Sequence, residues 1–478
     1  MKRLLLVLLF VPVMLQAQWL QSGDDIDGEG PDDEFGTSVS LNAVGDRVVV
    51  GAQYASVVGL GSAGHVKVYE NDGSAWTQVG NTIDATAISV NIGWQVSFND
   101  AGTIFATSSY FANNFVGMVA VYEELNGTWT QIGSNIEGIG SFDLFGTSVR
   151  MNASGTRFVA SAIDQVRVYE NMGGTWTQIG TDILPESPDE NMISVDINNS
   201  GDRIIVGANQ NDDIANNSGQ VRVYEFIEGS WIQMGSDING GAEFDGLGSQ
   251  VCFNSDGSRF ITGSSAEYVE IYEFMNGDWN QVGLRINGEQ LVGFFGLALD
   301  MNGDGSLVVV GASNNDAGNG NSGANFGSSS VYREINGSWS QLGEDIDGEA
   351  FQDLSGNAVS INETGNIIAI GAMWNDGNGN KSGHVRLYNE STLLLESQNF
   401  ERFKLYPNPS HDFVTIDFPV GSETYNIQIF DVLGKRVKQL DANQHQSFKM
   451  NVNDLPAGLY LVHINSKLMN TTMKLLVE

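Results

Sequence analysis

Cysteine is all but absent. Cys252 is the only one in the chain, so no intrachain disulfide forms and stability has to come from packing. Histidine is scarce as well, at 5 residues, and no His-rich metal spacing occurs. Proline is limited to 8 residues while glycine reaches 58, and β-branched runs such as Val48-Val49-Val50 and Ile204-Ile205-Val206 recur. This composition excludes a helical chain and fits many short strands joined by tight turns. Beyond the start of the chain, no apolar run is long enough to cross a bilayer.

Positive charge is the next deficit. Against 58 Asp and Glu the chain has 22 Lys and Arg, a formal net charge of −36. Residues 401–478 carry eight of each sign, so the acidic surplus lies on the part before them. Such a surface repels phosphate, which excludes nucleic acid and anionic membrane as partners and leaves cations, basic proteins and neutral glycans. Residues 1–17 read as a secretory signal peptide: Lys2 and Arg3, an apolar run from Leu4 to Leu15, then Gln16-Ala17 with a cut near Ala17-Gln18. The residue directly after the cut is Gln18 and not a cysteine, which argues against a lipid anchor.

What is present is a repeat. Tyr69, Tyr122, Tyr169, Tyr224, Tyr272, Tyr332 and Tyr388 recur at spacings of 53, 47, 55, 48, 60 and 56 residues. A Trp-x-Gln-x-Gly motif recurs at Trp19, Trp76, Trp129, Trp176, Trp231, Trp279 and Trp339, one step out of phase with the Tyr series. Each repeat reads as four strands, for example 35–41 (A), 47–52 (B), 64–69 (C) and 76–80 (D). The last repeat has no D strand, and the orphan segment at Trp19 can supply it. The sequence therefore predicts an all-β protein: a seven-bladed β-propeller over 18–393, closed by an N-terminal strand. A linker at 394–402 and a small C-terminal β-sandwich over 403–478 follow.

The A-to-B turns are short and alike, as in Asn42-Ala43-Val44-Gly45 and Asn362-Glu363-Thr364-Gly365. The B-to-C loops and D-to-A crossovers are longer, variable and on the opposite side, which makes that side the expected functional face. Two neighbouring crossovers are dense in acid. One holds Asp24, Asp25, Asp27, Glu29, Asp32, Asp33 and Glu34; the other holds Glu344, Asp345, Asp347, Glu349 and Asp353. Such carboxylates repel one another unless solvated or bridged by cations, and a solvated surface is the simpler reading. Asp376, in Asn375-Asp376-Gly377, reads as a turn former. The recurrent Trp and Tyr read as packing between sheets. Trp94 and Trp374 break the pattern: Trp94 replaces the usual Phe-Gly pair of the second repeat, and Trp374, opening a B-to-C loop, packs that loop or stacks on a sugar.

The pairs Phe35-Gly36 with Gly51-Ala52, Phe145-Gly146, Gly207-Ala208, Phe295-Gly296 with Gly311-Ala312, and Gly371-Ala372 resemble the FG-GAP repeats of integrin-type propellers. The family's Pro after Gly-Ala is missing, with Gln53, Asn209, Ser313 and Met373 in its place. The resemblance spans roughly residues 19–393 and implies a secreted or cell-surface propeller used for binding, often with Ca²⁺. At Asp300-Met301-Asn302-Gly303-Asp304-Gly305, oxygens at Asp300, Asn302 and Asp304 alternate before a glycine, a spacing suited to a hard cation. The loop resembles that family's calcium hairpin, although Val308 stands at the ninth position where the family has Asp. A plain Asx turn is the alternative.

The last 75 residues open with Tyr406-Pro407-Asn408-Pro409 and continue through Leu433-Gly434-Lys435 to Gly458-Leu459-Tyr460. These landmarks resemble the C-terminal sorting domain of the type IX secretion system of Bacteroidetes. The resemblance implies export through that machinery to the outer surface, with Tyr406, Pro407, Asn408, Pro409, Gly434, Gly458 and Tyr460 as the sorting motif. Catalysis has little to stand on. The only histidines of the repeats, His65 and His384, share one Gly-His-Val position and so a structural role; no Gly-x-Ser-x-Gly elbow occurs, and nothing selects a carboxylate pair. The expectation is a monomeric, non-enzymatic adhesion protein that binds an extracellular glycan or protein, with a glycan-active hydrolase or lyase as the alternative. Its candidate ligand face carries Asp24, Asp25, Asp27, Asp345, Asp347, Trp374 and Asp376.

Overall fold

The computed structural model describes residues 18–391 and 404–478, apart from 74, 89, 188–189, 290–292, 317–322, 418–424, 433, 443–446 and 466–469. The expected signal peptide and linker lie outside the described residues. The described residues form two compact units, one within Met1–Thr392 and one within Leu393–Glu478. Both are all-β; the one helical segment among the described residues is the short turn Ala112–Phe115.

The first unit is built from seven antiparallel sheets of four or five strands, with a two-stranded ribbon, Ser56–Val57 and Gly61–Ser62, in a loop of the first. The first of them orders Phe35–Leu41, Arg47–Ala52, His65–Asn71 and Trp76–Gln78. In the seventh, Ser355–Ile361, Ile367–Ala372 and His384–Ser391 are completed by Gln18–Gln21 from the other end of the unit. Its register matches the internal repeats: Gln21 faces Tyr388 as Gln78 faces Tyr69 and Gln131 faces Tyr122. A fifth, two-residue strand joins six of the sheets, such as Ile26–Asp27 on His384–Ser391 and Ile83–Asp84 on His65–Asn71. The four-strand reading omitted it, although an Ile follows each Trp-x-Gln-x-Gly motif three residues after its Gly.

The β-branched runs follow from burial on both faces. Val49 packs with Val96, Phe98 and Trp129 of the second sheet, whereas Val48 and Val50 pack with Ala369, Val385 and Leu387 of the seventh. Side chains alternate across a strand, so a strand flanked by sheets on both sides needs an unbroken apolar run.

Two series of hydrogen bonds carry the packing from sheet to sheet. Each motif Trp donates its indole N–H to the carbonyl just after the preceding fourth strand: Trp76 to Ser22, Trp129 to Val79, Trp176 to Ile132, Trp231 to Ile179, Trp279 to Met234, Trp339 to Val282 and Trp19 to Leu342, at 2.8–3.1 Å. At the A-to-B turns the link is backbone to backbone. Ala43 N–H donates to Asp100, Asp100 to Ala153, Asn199 to Ser255, Ser255 to Gly303, Gly303 to Glu363 and Glu363 back to Ala43. Those turns surround one end of a cavity of about 150 Å³ lined by the first strands of the sheets, among them Arg150, Asp196, Cys252, Asp300 and Ser360. Burial pushes the Asp196 carboxyl up to about 6, although it accepts the N–H groups of Ile197 and Phe253.

The second unit has a three-stranded and a four-stranded antiparallel sheet. Val414, Ile416 and Met450 of the first share one core with Ile427, Ile429, Val462, Ile464, Leu475 and Val477 of the second. The motif residues hold this arrangement. Asn408 donates its side-chain amide to the Lys474 carbonyl at 2.7 Å and accepts the Leu476 N–H at 2.8 Å, so its side chain stands in for a strand. The Tyr406 hydroxyl donates to Asp417, and the buried Tyr460 donates to the Pro456 carbonyl at 2.7 Å. Gly434 takes a φ of 79° in the turn that Asp431 and Lys435 close, a conformation glycine adopts without strain.

Candidate functional site

The long connections of the first unit lie where B-to-C loops meet D-to-A crossovers, and backbone bonds tie the two together, as Leu144 to Phe115 and Ser355 to Phe326. The acids of this edge divide by role. Asp33, Asp143, Asp245 and Asp353 are each under 9% exposed and accept the N–H of the residue three or four before them: Gly30, Ile139, Ala242 and Ala350. They are internal braces of a repeated turn. The reading of Asp33 and Asp353 as solvated surface is thereby corrected: each crossover has to turn sharply under its own loop, and a carboxylate supplies the missing acceptor.

Buried cations account for further acids. Lys67 pairs with Glu29, Arg222 with Glu190, and Arg386 with Glu349 at 3.5 Å. The hydrogen bond from Lys67 holds the Glu29 carboxyl below its usual range. Arg167 is 1% exposed and, among the described residues, has only Asp143 and Asp182, at 3.7 and 3.6 Å, as counter-charges.

The expected ligand residues do not converge on one point. Asp345 accepts from Ser330 and Gln341 at 2.5 and 2.7 Å. Asp347 and Asp24 are exposed, and Asp376 accepts the Lys381 N–H at 2.8 Å in its own loop. Trp374 is half-buried. Its indole donates to Glu34 at 3.2 Å, and the Lys381 ammonium sits 3.7 Å above the ring, so one face is already covered. Only Asp25 and Asp27 come together, beside His384. Asp27 and His384 are cross-strand partners, and His384 Nδ1 lies 3.5 Å from an Asp25 oxygen. The hydrogen bond with His384 holds Asp25 below the usual carboxylate range, while burial pushes Asp27 above it.

One group was legible in the sequence only at Trp94. Trp94, Tyr110, Phe111, Phe115 and Phe142 form a chain of ring contacts along this edge, with centroids 4.6, 4.0, 5.6 and 5.7 Å apart. Phe115 and Phe142 stack at 15° between planes and are 38% and 67% exposed. Asn113, Asn114 and Phe115 hold φ of 54°, 59° and 67°, three consecutive left-handed residues without a glycine among them. The Tyr-Phe-x-x-x-Phe run in a B-to-C loop was the available signal; the repeat drew attention to residues that recur, and this run does not.

The hairpin set sits at the opposite side. Asp300 accepts from Ser360 Oγ and Ile361 N–H with one oxygen, and from Met301 N–H and Cys252 Sγ with the other, at 2.8–3.1 Å. Asn302 accepts the Leu307 N–H and donates to Asp304, which also accepts the Ser306 N–H. Asn42, Asn99, Asn152, Asn198, Asn254 and Asn362 make the same turn, each accepting a backbone N–H five residues on.

Among the described residues no helix is long and apolar enough to cross a membrane. No curated protein matches the chain. Residues 404–478 match the family model of the secretion system C-terminal sorting domain, and by this domain the protein is a cargo of the type IX secretion machinery, exported to the cell surface or beyond.

Proposed function

We propose that the seven sheets are the blades of a closed propeller and that the protein is a surface-displayed binding protein whose crossover edge holds an extracellular glycan. The observation that carries this reading is the exposed aromatic run ending in Phe115 and Phe142. The apolar face of a sugar ring stacks on such a surface, and neighbouring acceptors such as Glu137, which already binds Asn113 at 2.9 Å, suit its hydroxyls. The strained loop at 113–115 keeps the platform fixed before any ligand arrives. The protein acts as a monomer and without turnover in this reading. Calcium at Asp300, Asn302 and Asp304 would have to displace hydrogen bonds that the hairpin already makes.

The test is a glycan array with the exported protein, beside product analysis of every polysaccharide that binds. Binding that falls at least tenfold in Phe142→Ala supports the reading. Binding that Phe142→Ala leaves intact removes the aromatic run from it, and released oligosaccharide products replace the binding reading with an enzymatic one.

A further inference from the structure

We propose that Asp25, Asp27 and His384 form a binding site for one divalent transition-metal ion, which ties the N-terminal segment to the last repeat. One ligand atom from each of the three side chains lies within 4.8 Å of the other two. Metal–ligand bonds of about 2.0–2.2 Å place neighbouring ligand atoms of a tetrahedral site roughly 3.3 Å apart. The Asp25–His384 contact at 3.5 Å is already near that spacing. The two carboxylates are only partly buried, so they can close the remainder by rotating, and water can take the open positions.

The histidine sets this cluster apart from surface acids. His384 is 1% exposed, and its Nε2, like that of His65, has no hydrogen-bond partner among the described residues, whereas its Nδ1 faces Asp25. With the proton on Nδ1 the ring donates to Asp25; with the proton on Nε2 the Nδ1 lone pair faces the carboxylate, and a cation between the two satisfies both. Two carboxylate oxygens and one imidazole nitrogen suit a borderline ion such as Zn²⁺ rather than Ca²⁺, which takes oxygen alone. The neighbouring Arg386 pairs with Glu349 at 3.5 Å and donates to the Asp347 carbonyl at 2.8 Å.

The first sheet offers an internal control. His65 stands in the same place opposite Asp84, and Thr82 precedes Ile83 where Asp25 precedes Ile26. The ligand set is thus complete in the seventh sheet and broken in the first. The two histidines were expected to share one structural role; their neighbours differ. The seventh sheet is also the one whose strands come from both ends of the unit, so a metal there would link residues more than 350 positions apart in the chain.

The experiment is a zinc titration of the chelator-stripped exported protein by calorimetry, followed by thermal unfolding at each zinc level. One equivalent is expected to bind and to raise Tm. Asp25→Asn and Asp27→Asn should each weaken binding at least tenfold, His384→Gln likewise, and His65→Gln should leave it unchanged. Because His384 is buried, the two Asp variants decide the matter if His384→Gln does not fold. The proposal is overturned by the absence of stoichiometric uptake, by uptake that both Asp variants retain, or by binding that leaves Tm unmoved. None of these outcomes touches the glycan reading, whose residues lie on other loops.

Discussion

The two ends of the sheets in the first unit differ in how closely they repeat. At the A-to-B turns one Asn recurs in all seven repeats with the same acceptor role, and six of the seven neighbouring pairs of turns are joined through their backbones. At the crossover edge the bracing Asp returns in four of the loops, an exposed Phe stands just before it in two of them (Phe142 and Phe244), and buried Asn211, Asn315 and Asn375 recur in three B-to-C loops, but the other groups differ from loop to loop: the Phe115 ring stacked on Phe142 in one, Trp374 under Lys381 in another, Asp25 and Asp27 beside His384 in a third. Repetition marks the residues that hold sheets together. Chemistry available to a ligand has to be sought where repetition fails.

That contrast can be broken at its strongest point first. Trp19→Ala and Trp279→Ala should each cost about 3–5 kcal/mol in urea unfolding, because both bury an indole and satisfy a carbonyl of the neighbouring sheet. A much smaller loss for Trp19 would mean that the N-terminal strand only decorates the last sheet. Asp196 comes next. Its carboxyl keeps a proton to about 6 in the folded protein, against about 4 when unfolded. The folded state therefore binds more protons between those values, and this favourable contribution, complete below pH 4, is lost as pH rises through 6. Asp196→Asn should flatten that part of the stability–pH curve by about 2–3 kcal/mol, read by denaturation at half-unit steps.

Asn302→Ala and Asn254→Ala should lose similar amounts, about 1–2 kcal/mol each, since both turns use the amide in the same way. A calcium-dependent stabilisation abolished only by Asn302→Ala would instead single that hairpin out as a metal loop. The smallest effect belongs to the variable edge. Phe142→Ala should shift stability by no more than about 0.5 kcal/mol while it lowers glycan binding.

The out-of-phase Trp and Tyr series made the strand order, the sheet count and the pairing of Gln18–Gln21 with the last repeat legible, because these positions obey one spacing. The sorting domain was legible through the turn chemistry of Asn408, Gly434 and Tyr460. The candidate site was legible only in part. Composition could not separate Asp353, a buried brace, from Asp24, which is exposed, since burial depends on how a crossover folds back on its own loop. Nor could spacing bring Asp25 to His384, a contact that exists only once the two ends of the unit have paired.

That pairing also has a bearing on time. Gln18–Gln21, the first described strand to leave the ribosome, meets its neighbour only when His384–Ser391 has been made. Until then the seventh sheet has no outer strand and the Leu342 carbonyl no indole donor. A loop of that length closes late, so the nascent chain carries Gln18–Gln21 without its strand partner through almost the whole of the first unit's synthesis.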